Sequence, residues 1–520
     1  MSFIIVPQMV TSDTVMIWVA AIGEKVRQMR ITIDYRKLAD PPTTSKELLV
    51  RSSEWRMWRT RQVLDGKIGN DQNSVIYYQR VIVGSRDPLL PGTKYLFKVT
   101  CDKVAKPDGE VSSFAKMTGS MQDFSKRKEL YEKPEDTSKE YDSAIATATT
   151  LPEKLPGPAD PKPFTVMLGS CFYLPSDPDG LAGRTYVSMP PASRPDLKIL
   201  CGDQVYLDNP WKETTANVRL TFSPKEDMRQ LFFKKYVQTW TQMTRENDKT
   251  VGGFNALLRH GANYFASDDH EFWNNAPNLG LAGLALTLVL GQRRFWFREG
   301  AELFRVFQSL SPWMTFDVPP ISFCIADTRI NRNIKGYRFM ENDDLDAIGH
   351  WIDCLEGPGV LSLGQPILAN RGNWFFRTFD KVLADFEGQY KALTKMISRS
   401  KHSIVLLTGD VHFGRVAWCD LRKADAGETE VPKFVEVISS PLRVVDDFFG
   451  KPTMGKYEDA FDTFGTGPKS IQLANGENHF VTIEFTENDS KVGMKVVTWP
   501  IIREKLGVPV PGDSFLITLS

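Results

Sequence analysis

The segment Ser403-Ile404-Val405-Leu406-Leu407-Thr408-Gly409-Asp410-Val411-His412 sets the reading of the whole chain. Its short apolar run stops abruptly at small and polar residues, which predicts a buried strand with chemistry at its end. Three more segments repeat the pattern. Phe164-Thr165-Val166-Met167-Leu168 runs into Gly169-Ser170-Cys171-Phe172, and Leu197-Lys198-Ile199-Leu200-Cys201 into Gly202-Asp203-Gln204-Val205-Tyr206-Leu207-Asp208. Tyr264-Phe265-Ala266 runs into Ser267-Asp268-Asp269-His270-Glu271-Phe272-Trp273-Asn274-Asn275. Longer amphipathic stretches separate these runs. Strands alternating with helices predict an α/β domain over residues 163–520, and such domains carry their sites at strand C-termini.

Taken singly, a Gly-Asp after a strand is often only a turn. Four such ends together bring a thiol, several carboxylates and two histidines, a donor set suited to a pair of hard or borderline metal ions. A two-metal phosphoesterase needs one carboxylate shared by both ions, further donors on each, and open positions for water and phosphate oxygens. Asp203 suits the shared position. Asp410 and His412 are two residues apart, so an extended strand end would place both side chains on one face.

Residues 1–118 read differently. Short alternating runs, among them Val15 to Val19, Met29 to Tyr35 and Ser74 to Val83, predict a β domain. Leu89-Leu90-Pro91-Gly92-Thr93-Lys94-Tyr95-Leu96-Phe97 is similar to the tyrosine corner of fibronectin III or immunoglobulin-like sandwiches, whose Tyr hydroxyl bonds back to nearby backbone. Trp18 suits the core of such a sandwich. Residues 119–162 are charged and then Pro-rich, which predicts a solvated linker or a peripheral helix.

Composition narrows the function classes. The 520 residues are 42% hydrophobic and 25% charged, with Lys+Arg and Asp+Glu both 64. This balance gives no support to general nucleic-acid binding. The six cysteines form no CxxC pair and no disulfide framework. The longest apolar run, Leu279 to Leu290, falls short of the roughly 20 residues a membrane span needs. The N-terminus shows no basic and apolar leader pattern, so the expectation is a cytoplasmic protein as it stands, secreted or periplasmic if a leader has been trimmed.

The four strand ends, in this order, resemble the motif set of the PhoD-like alkaline phosphatases, within the calcineurin-like metallophosphoesterases. That family carries Gly-Ser-Cys, Gly-Asp-x-x-Tyr, Asp-Asp-His-Glu with Asn-Asn shortly after, and Gly-Asp-x-His. Asp327-Thr328-Arg329 resembles a further family triplet. The resemblance implies a metallophosphatase four-layer αββα sandwich preceded by an N-terminal fibronectin III-like β-sandwich. It implies an alkaline phosphatase or phosphodiesterase in which hydroxide generated at the metals attacks phosphorus. Cys171, Asp203, Tyr206 and His412 would hold one ion, Fe3+ in relatives. Asp203, Asp269 and Asp410 would hold the second site, Ca2+ in relatives, with Mg2+, Mn2+ or Zn2+ as alternatives. His270 would bind the phosphate or protonate the leaving group, and Arg329 would clamp phosphate oxygens with its planar fork. Asn274 and Asn275 either line the site or turn the chain.

Other residues carry weaker expectations. Asp268 is expected behind Asp269, and Glu271 either orients His270 or starts a helix. Trp273, Trp296 and Trp374 either wall a leaving-group pocket or pack in the core, and Asp446 and Asp447 belong to a late loop near the site. His260, His350, His402 and His479 read as ordinary histidines. Two other functions compete: a cysteine hydrolase with Cys171 as nucleophile, and a non-catalytic binding protein that uses the β-sandwich for adhesion.

Overall fold

The computed structural model describes residues 3–22, 26, 29–60, 63–64, 67–68, 75–102, 144–208, 225–246, 249–273, 275–277, 290–309, 311–333, 335, 337–369, 381–423, 431–444, 466–473, 477–489, 491–502 and 509–520. The run 279–289, Asn274, Trp374, Asp446 and Asp447 lie outside the described residues, as does 119–143.

The N-terminal region holds two four-stranded antiparallel sheets. One has the order Phe3–Val10, Val15–Ile22, Val75–Val83, Arg56–Arg59, and the other Ala144–Thr149, Lys94–Asp102, Arg30–Lys37, Lys46–Val50. The Tyr95 hydroxyl accepts a hydrogen bond from the Leu90 backbone N–H at 2.9 Å, closing the corner read from the sequence. Two expectations change. The stretch 119–162 is not linker throughout, because Ala144–Thr149 pairs along its whole length with Lys94–Asp102. Its Ala-Ile-Ala-Thr-Ala-Thr sequence has one large apolar residue, so its strand character was hidden. Trp18 does not fill the space between these two sheets. Side chains alternate across a strand, so Ile17 and Val19 share a cluster with Ile33 and Val99, while Trp18 faces the other way. Its indole N–H donates to the Val306 carbonyl at 2.8 Å and its ring lies 5.5 Å from that of Phe307.

The rest of the chain builds two larger sheets. The six-stranded sheet runs Ala262–Ala266, Leu197–Cys201, Phe164–Gly169, His479–Asn488, Lys491–Pro500, Ser514–Leu519. The seven-stranded sheet runs Trp313–Val318, Ile321–Ala326, Gly359–Ser362, Ile404–Thr408, Lys433–Ile438, Gly414–Asp420, Thr466–Leu473. Period-two alternation assigns their faces. Val166, Leu168 and Ile199 share one apolar cluster with Phe323, Val405 and Val435 of the other sheet. Met167 and Leu200 instead join Phe232, Trp240 and Phe304 of the helices Lys225–Thr241 and Leu290–Phe307. Cys324 and Leu406 join Ile348 and Leu393 of the helices Asn342–Asp353 and Glu387–Ser398. Strands buried on both faces read as continuous apolar runs, as they do here. No helix among the described residues is long and apolar enough to cross a membrane.

Candidate metal centre

Strand direction delivers the polar residues to one place. Phe164–Gly169, Leu197–Cys201 and Ala262–Ala266 are parallel neighbours, so Cys171, Asp203 and Asp269 leave the six-stranded sheet at the same edge. Ile321–Ala326, Gly359–Ser362, Ile404–Thr408 and Lys433–Ile438 are also parallel neighbours. They deliver Asp327 to Arg329, Gln365, Asp410 to His412, and Ser439 to Ser440. The two edges are stitched together. Ser170 Oγ donates to the Ser439 carbonyl and Ser439 Oγ to the Leu168 carbonyl, each at 3.0 Å. This closeness needs glycine: a Cβ on Gly409 would lie 2.1 Å from Ser170 Oγ, and one on Gly202, whose φ is +98°, 2.4 Å from Asp268 Cβ.

The backbone at the site is unusual. Among the described residues seven non-glycines have left-handed φ, and five are Cys171 (59°), Asp203 (60°), Asn275 (64°), Asp410 (70°) and His412 (57°). Such conformations cost roughly 1–3 kcal/mol each and cluster where function over-determines them. They also correct one expectation. Asp410 and His412 do not share the face of an extended strand end, because the chain turns at both.

The side chains converge on Asp203. Carboxylate oxygens of Asp203, Asp268, Asp269 and Asp410 lie within 4.8 Å of one another, and Asp203, Asp269 and His270 form a second group by the same measure. Cys171 Sγ is 3.4 Å from Asp203 Oδ2 and accepts from the hydroxyls of Ser440 at 3.2 Å and Ser170 at 3.5 Å. Tyr206 stacks on His270 with ring centres 4.0 Å apart, and its buried hydroxyl lies beside Cys171 without a partner in full hydrogen-bond geometry. His412 belongs to neither close group among the described residues. Its backbone N–H donates to Ser440 Oγ at 3.1 Å.

Burial and crowding decide the electrostatics. Asp203 is 1% exposed, and desolvation followed by the charges of Asp269, Asp268 and Glu271 drives its pKa well up, against the pull of His270. Asp410 is driven up by burial and then by Asp268 and Asp269. Asp269 goes the other way: although burial opposes it, His270 and Arg329 hold its carboxyl below the ordinary value. His412 is pushed down to about 4 by burial, so it stands as a neutral imidazole able to donate a lone pair. Burial raises the Cys171 thiol well up, and Asp203 and Asp410 add to it.

Several neighbours were not legible beforehand. Asp208, not Glu271, partners His270, with Nδ1 2.8 Å from Oδ1. Glu271 forms a capping box with Asp268 at the short helix Asp269–Glu271 and accepts from the backbone N–H of Asp203 at 2.9 Å and of Gln204 at 2.7 Å. Gln365 donates to Asp410 Oδ2 and accepts from Arg332. Asn275 touches the site through its backbone N–H, which donates to the Asp269 carboxylate. Arg329 is 1% exposed and its fork is already engaged. Nε donates to Asp268 Oδ1 at 2.7 Å and Nη1 to the Ala276 carbonyl at 2.7 Å, while Nη2 lies 2.6 Å from that same Asp268 oxygen, off hydrogen-bond geometry. It therefore does not present an open clamp. Trp273 and Trp296 are buried and pack edge to face.

The acidic cluster fits a metal ion. Asp269 Oδ1 and Asp268 Oδ2 are buried without hydrogen-bond partners, and buried polar atoms ordinarily have one. No model of a known protein family matches this sequence, and no curated protein matches it. Among solved structures, a domain of human contactin 1 of the fibronectin III type covers 30% of this chain and 79% of its own at 14% identity, and its TM-score of 0.15 bears on nothing here. A structure of PhoD aligns with 99% of this chain and 89% of its own, at 12% identity and a TM-score of 0.58. The chain thus has a PhoD-like fold.

Proposed function

We propose that this protein is a metal-dependent hydrolase of small phosphoesters, acting as a phosphomonoesterase, a phosphodiesterase or both. One observation carries the reading: three buried aspartates and the half-buried Asp410, from two sheets, hold carboxylate oxygens within 4.8 Å of one another. Like charges this close in a low-dielectric site raise each other's pKa values, and bound cations relieve the repulsion. Asp203, Asp269 and Asp410 would hold one ion, and Cys171, Asp203, Tyr206 and His412 the other. Thiolate, phenolate and imidazole favour a softer or trivalent metal such as Fe3+, and the all-carboxylate side favours Ca2+, Mg2+ or Mn2+. When bound, the ions supply Lewis-acid charge toward phosphate oxygens and lower the pKa of water.

The protein groups have their own parts. His270, held by Asp208 and stacked on Tyr206, would carry a proton to a leaving-group oxygen. Arg329 acts through Asp268 as a positioning residue. The same reading takes residues 163–520 as the αββα catalytic domain. Residues 1–118, extended by the strand Ala144–Thr149, are then the fibronectin III-like β-sandwich.

Geometry speaks against the cysteine-hydrolase alternative. The partners of Cys171 Sγ are hydroxyls, a carboxylate and a carbonyl, with no imidazole base among the described residues. Two carboxylates beside it disfavour the thiolate that a nucleophile needs. The test measures metal content by elemental analysis, then hydrolysis of p-nitrophenyl phosphate and bis-p-nitrophenyl phosphate after chelation. Iron, calcium, zinc, manganese and magnesium are restored one at a time. Chelation and Asp203→Ala should each abolish turnover. Full activity in metal-stripped protein would overturn the proposal, and activity that survives chelation but not iodoacetamide would restore the cysteine reading.

A further inference from the structure

The geometry points to a second anion site, away from the metal centre, that takes a free inorganic tetrahedral oxyanion such as phosphate or sulfate where the N-terminal sheets meet the catalytic domain. A cavity there is lined by Lys94 and Thr149 of the N-terminal strands and by Tyr186, Val187, Arg194, Pro195, His260 and Gly261 of the catalytic domain. Its volume is about 70 Å³. At roughly 10–15 Å³ per water this suits a few waters or one small oxyanion, not a nucleotide or a lipid headgroup with its chain.

The charge around it is one-sided. Lys198 is fully buried, and its ammonium donates to the carbonyls of His260 and Gly261, with no carboxylate partner among the described residues. Arg194 donates to the carbonyls of Met189 and Val187, at 3.0 and 2.7 Å, so its charge is also uncompensated by these bonds. Lys94 is half-buried and makes no side-chain hydrogen bond or ion pair among the described residues. The nearby carboxylate, Asp196, is already occupied: Lys162 donates to one oxygen at 2.7 Å and the Thr165 backbone N–H to the other at 2.9 Å. Two cations, Lys94 and Arg194, thus line one cavity, and a third, Lys198, lies behind its His260–Gly261 wall, while the local counter-charge is committed elsewhere. Burial and this mutual repulsion pull both lysines below their ordinary pKa values. Burial, then neighbouring cations, lowers His260 to about 3, so it faces the cavity as a neutral ring whose Nδ1 meets Thr147 Oγ1 at 3.1 Å. Buried charges left without a partner are costly, and a dianion touching Lys94, Arg194 and Thr149 supplies one. Such a ligand would join residues of the N-terminal sheets to residues of the catalytic domain.

Thermal unfolding of the full chain tests this, with inorganic phosphate or sulfate titrated against sodium chloride at matched ionic strength. The titration is run in the wild type and in Asp203→Asn, which disables the metal centre as a competing phosphate site. Both anions should raise Tm with saturation in both backgrounds, because a ligand of the folded state alone stabilises it. Lys94→Met should weaken the apparent affinity by about tenfold or more, and Lys94→Arg should keep it within about threefold, as loss or retention of one charge-assisted contact implies. Without added anion Lys94→Arg should match its parent in Tm, and Lys94→Met should match or exceed it, because it removes a charge that burial and Arg194 disfavour. A Tm rise no greater than chloride gives, or equal anion affinity in Lys94→Met and its parent, would overturn the assignment.

Discussion

Gln365 donates from Nε2 to the Asp410 carboxylate at 2.9 Å. Its Oε1 accepts from Arg332 at 2.8 Å, which fixes which end of the amide faces the site. Partners that orient a ligand are typically worth 10–100-fold in metal affinity or activity. Under the proposed function, Gln365→Ala should therefore lower phosphoesterase kcat/KM by about that factor with the fold intact. Metal titration and steady-state kinetics check this, and unchanged values in both would remove Gln365 from the site.

Cys171 distinguishes the two halves of the proposed centre. Cys171→Asp should retain total metal content but change which metal fills the site, since an oxygen donor replaces a soft one. Elemental analysis and the visible spectrum are the readouts. If both match the wild type, Cys171 is not a ligand.

His479 supplies a pH dependence of its own from behind the site, where its backbone N–H donates to the Pro441 carbonyl at 2.8 Å. Burial lowers it to about 4 in the folded chain, whereas an unfolded chain titrates it near 6.5. Between those values the unfolded state binds the extra proton. Stability from this group is complete above about pH 6.5 and declines as pH falls toward 4. The decline reaches about 3 kcal/mol by pH 4. Urea unfolding at pH 7.5 and 4.5 should show a smaller difference for His479→Gln than for the wild type, and equal differences would contradict this account.

Glu436 is fully buried and bridges Arg415 to the backbone N–H groups of Ile367 and Leu368, two and three residues past Gln365. Removing one partner of a buried pair costs about 3–5 kcal/mol. Glu436→Ala should lose about that much in urea unfolding and loosen the loop that carries Gln365. A loss below about 1 kcal/mol, the surface-pair range, would mean that the pair is solvated.

Trp18 ties the N-terminal sheets to the helix Leu290–Phe307, and Gln8 adds bonds to the carbonyls of Phe307 at 3.1 Å and Gln308 at 2.9 Å. The two regions should unfold together, with Trp18→Ala lowering that one transition by about 3–5 kcal/mol. Calorimetry that resolves a separate N-terminal transition in the wild type would disprove the coupling.

What the sequence made legible follows from chain locality. The strands before Cys171, Asp203, Asp269 and Asp410 are apolar runs with polar ends, so strand, direction and candidate ligand sit within ten residues of one another. The tyrosine corner is local in the same way. Asp208, Gln365, Arg332 and Ser440 were missed as partners because each is an unremarkable polar residue whose target lies up to hundreds of positions away. Arg329 shows the converse. Its residue type fitted a phosphate clamp, but only tertiary packing shows that Asp268 and Ala276 already hold its fork. Trp18 looked like sandwich core, and the register of Val15–Ile22 turned it outward.

The left-handed backbones at Cys171, Asp203, Asp410 and His412 have a consequence for how this centre could drift or be redesigned. At such φ values Gly, Asn, Asp and His are favoured, small unbranched residues such as Cys are accepted, and β-branched ones are strongly disfavoured. Under the proposed function, metal preference at these positions can therefore change only within a small alphabet. Exchange of Asp203 or Asp410 for Asn or His keeps the chain's path, whereas Thr or Val would break the turn before any question of affinity arose.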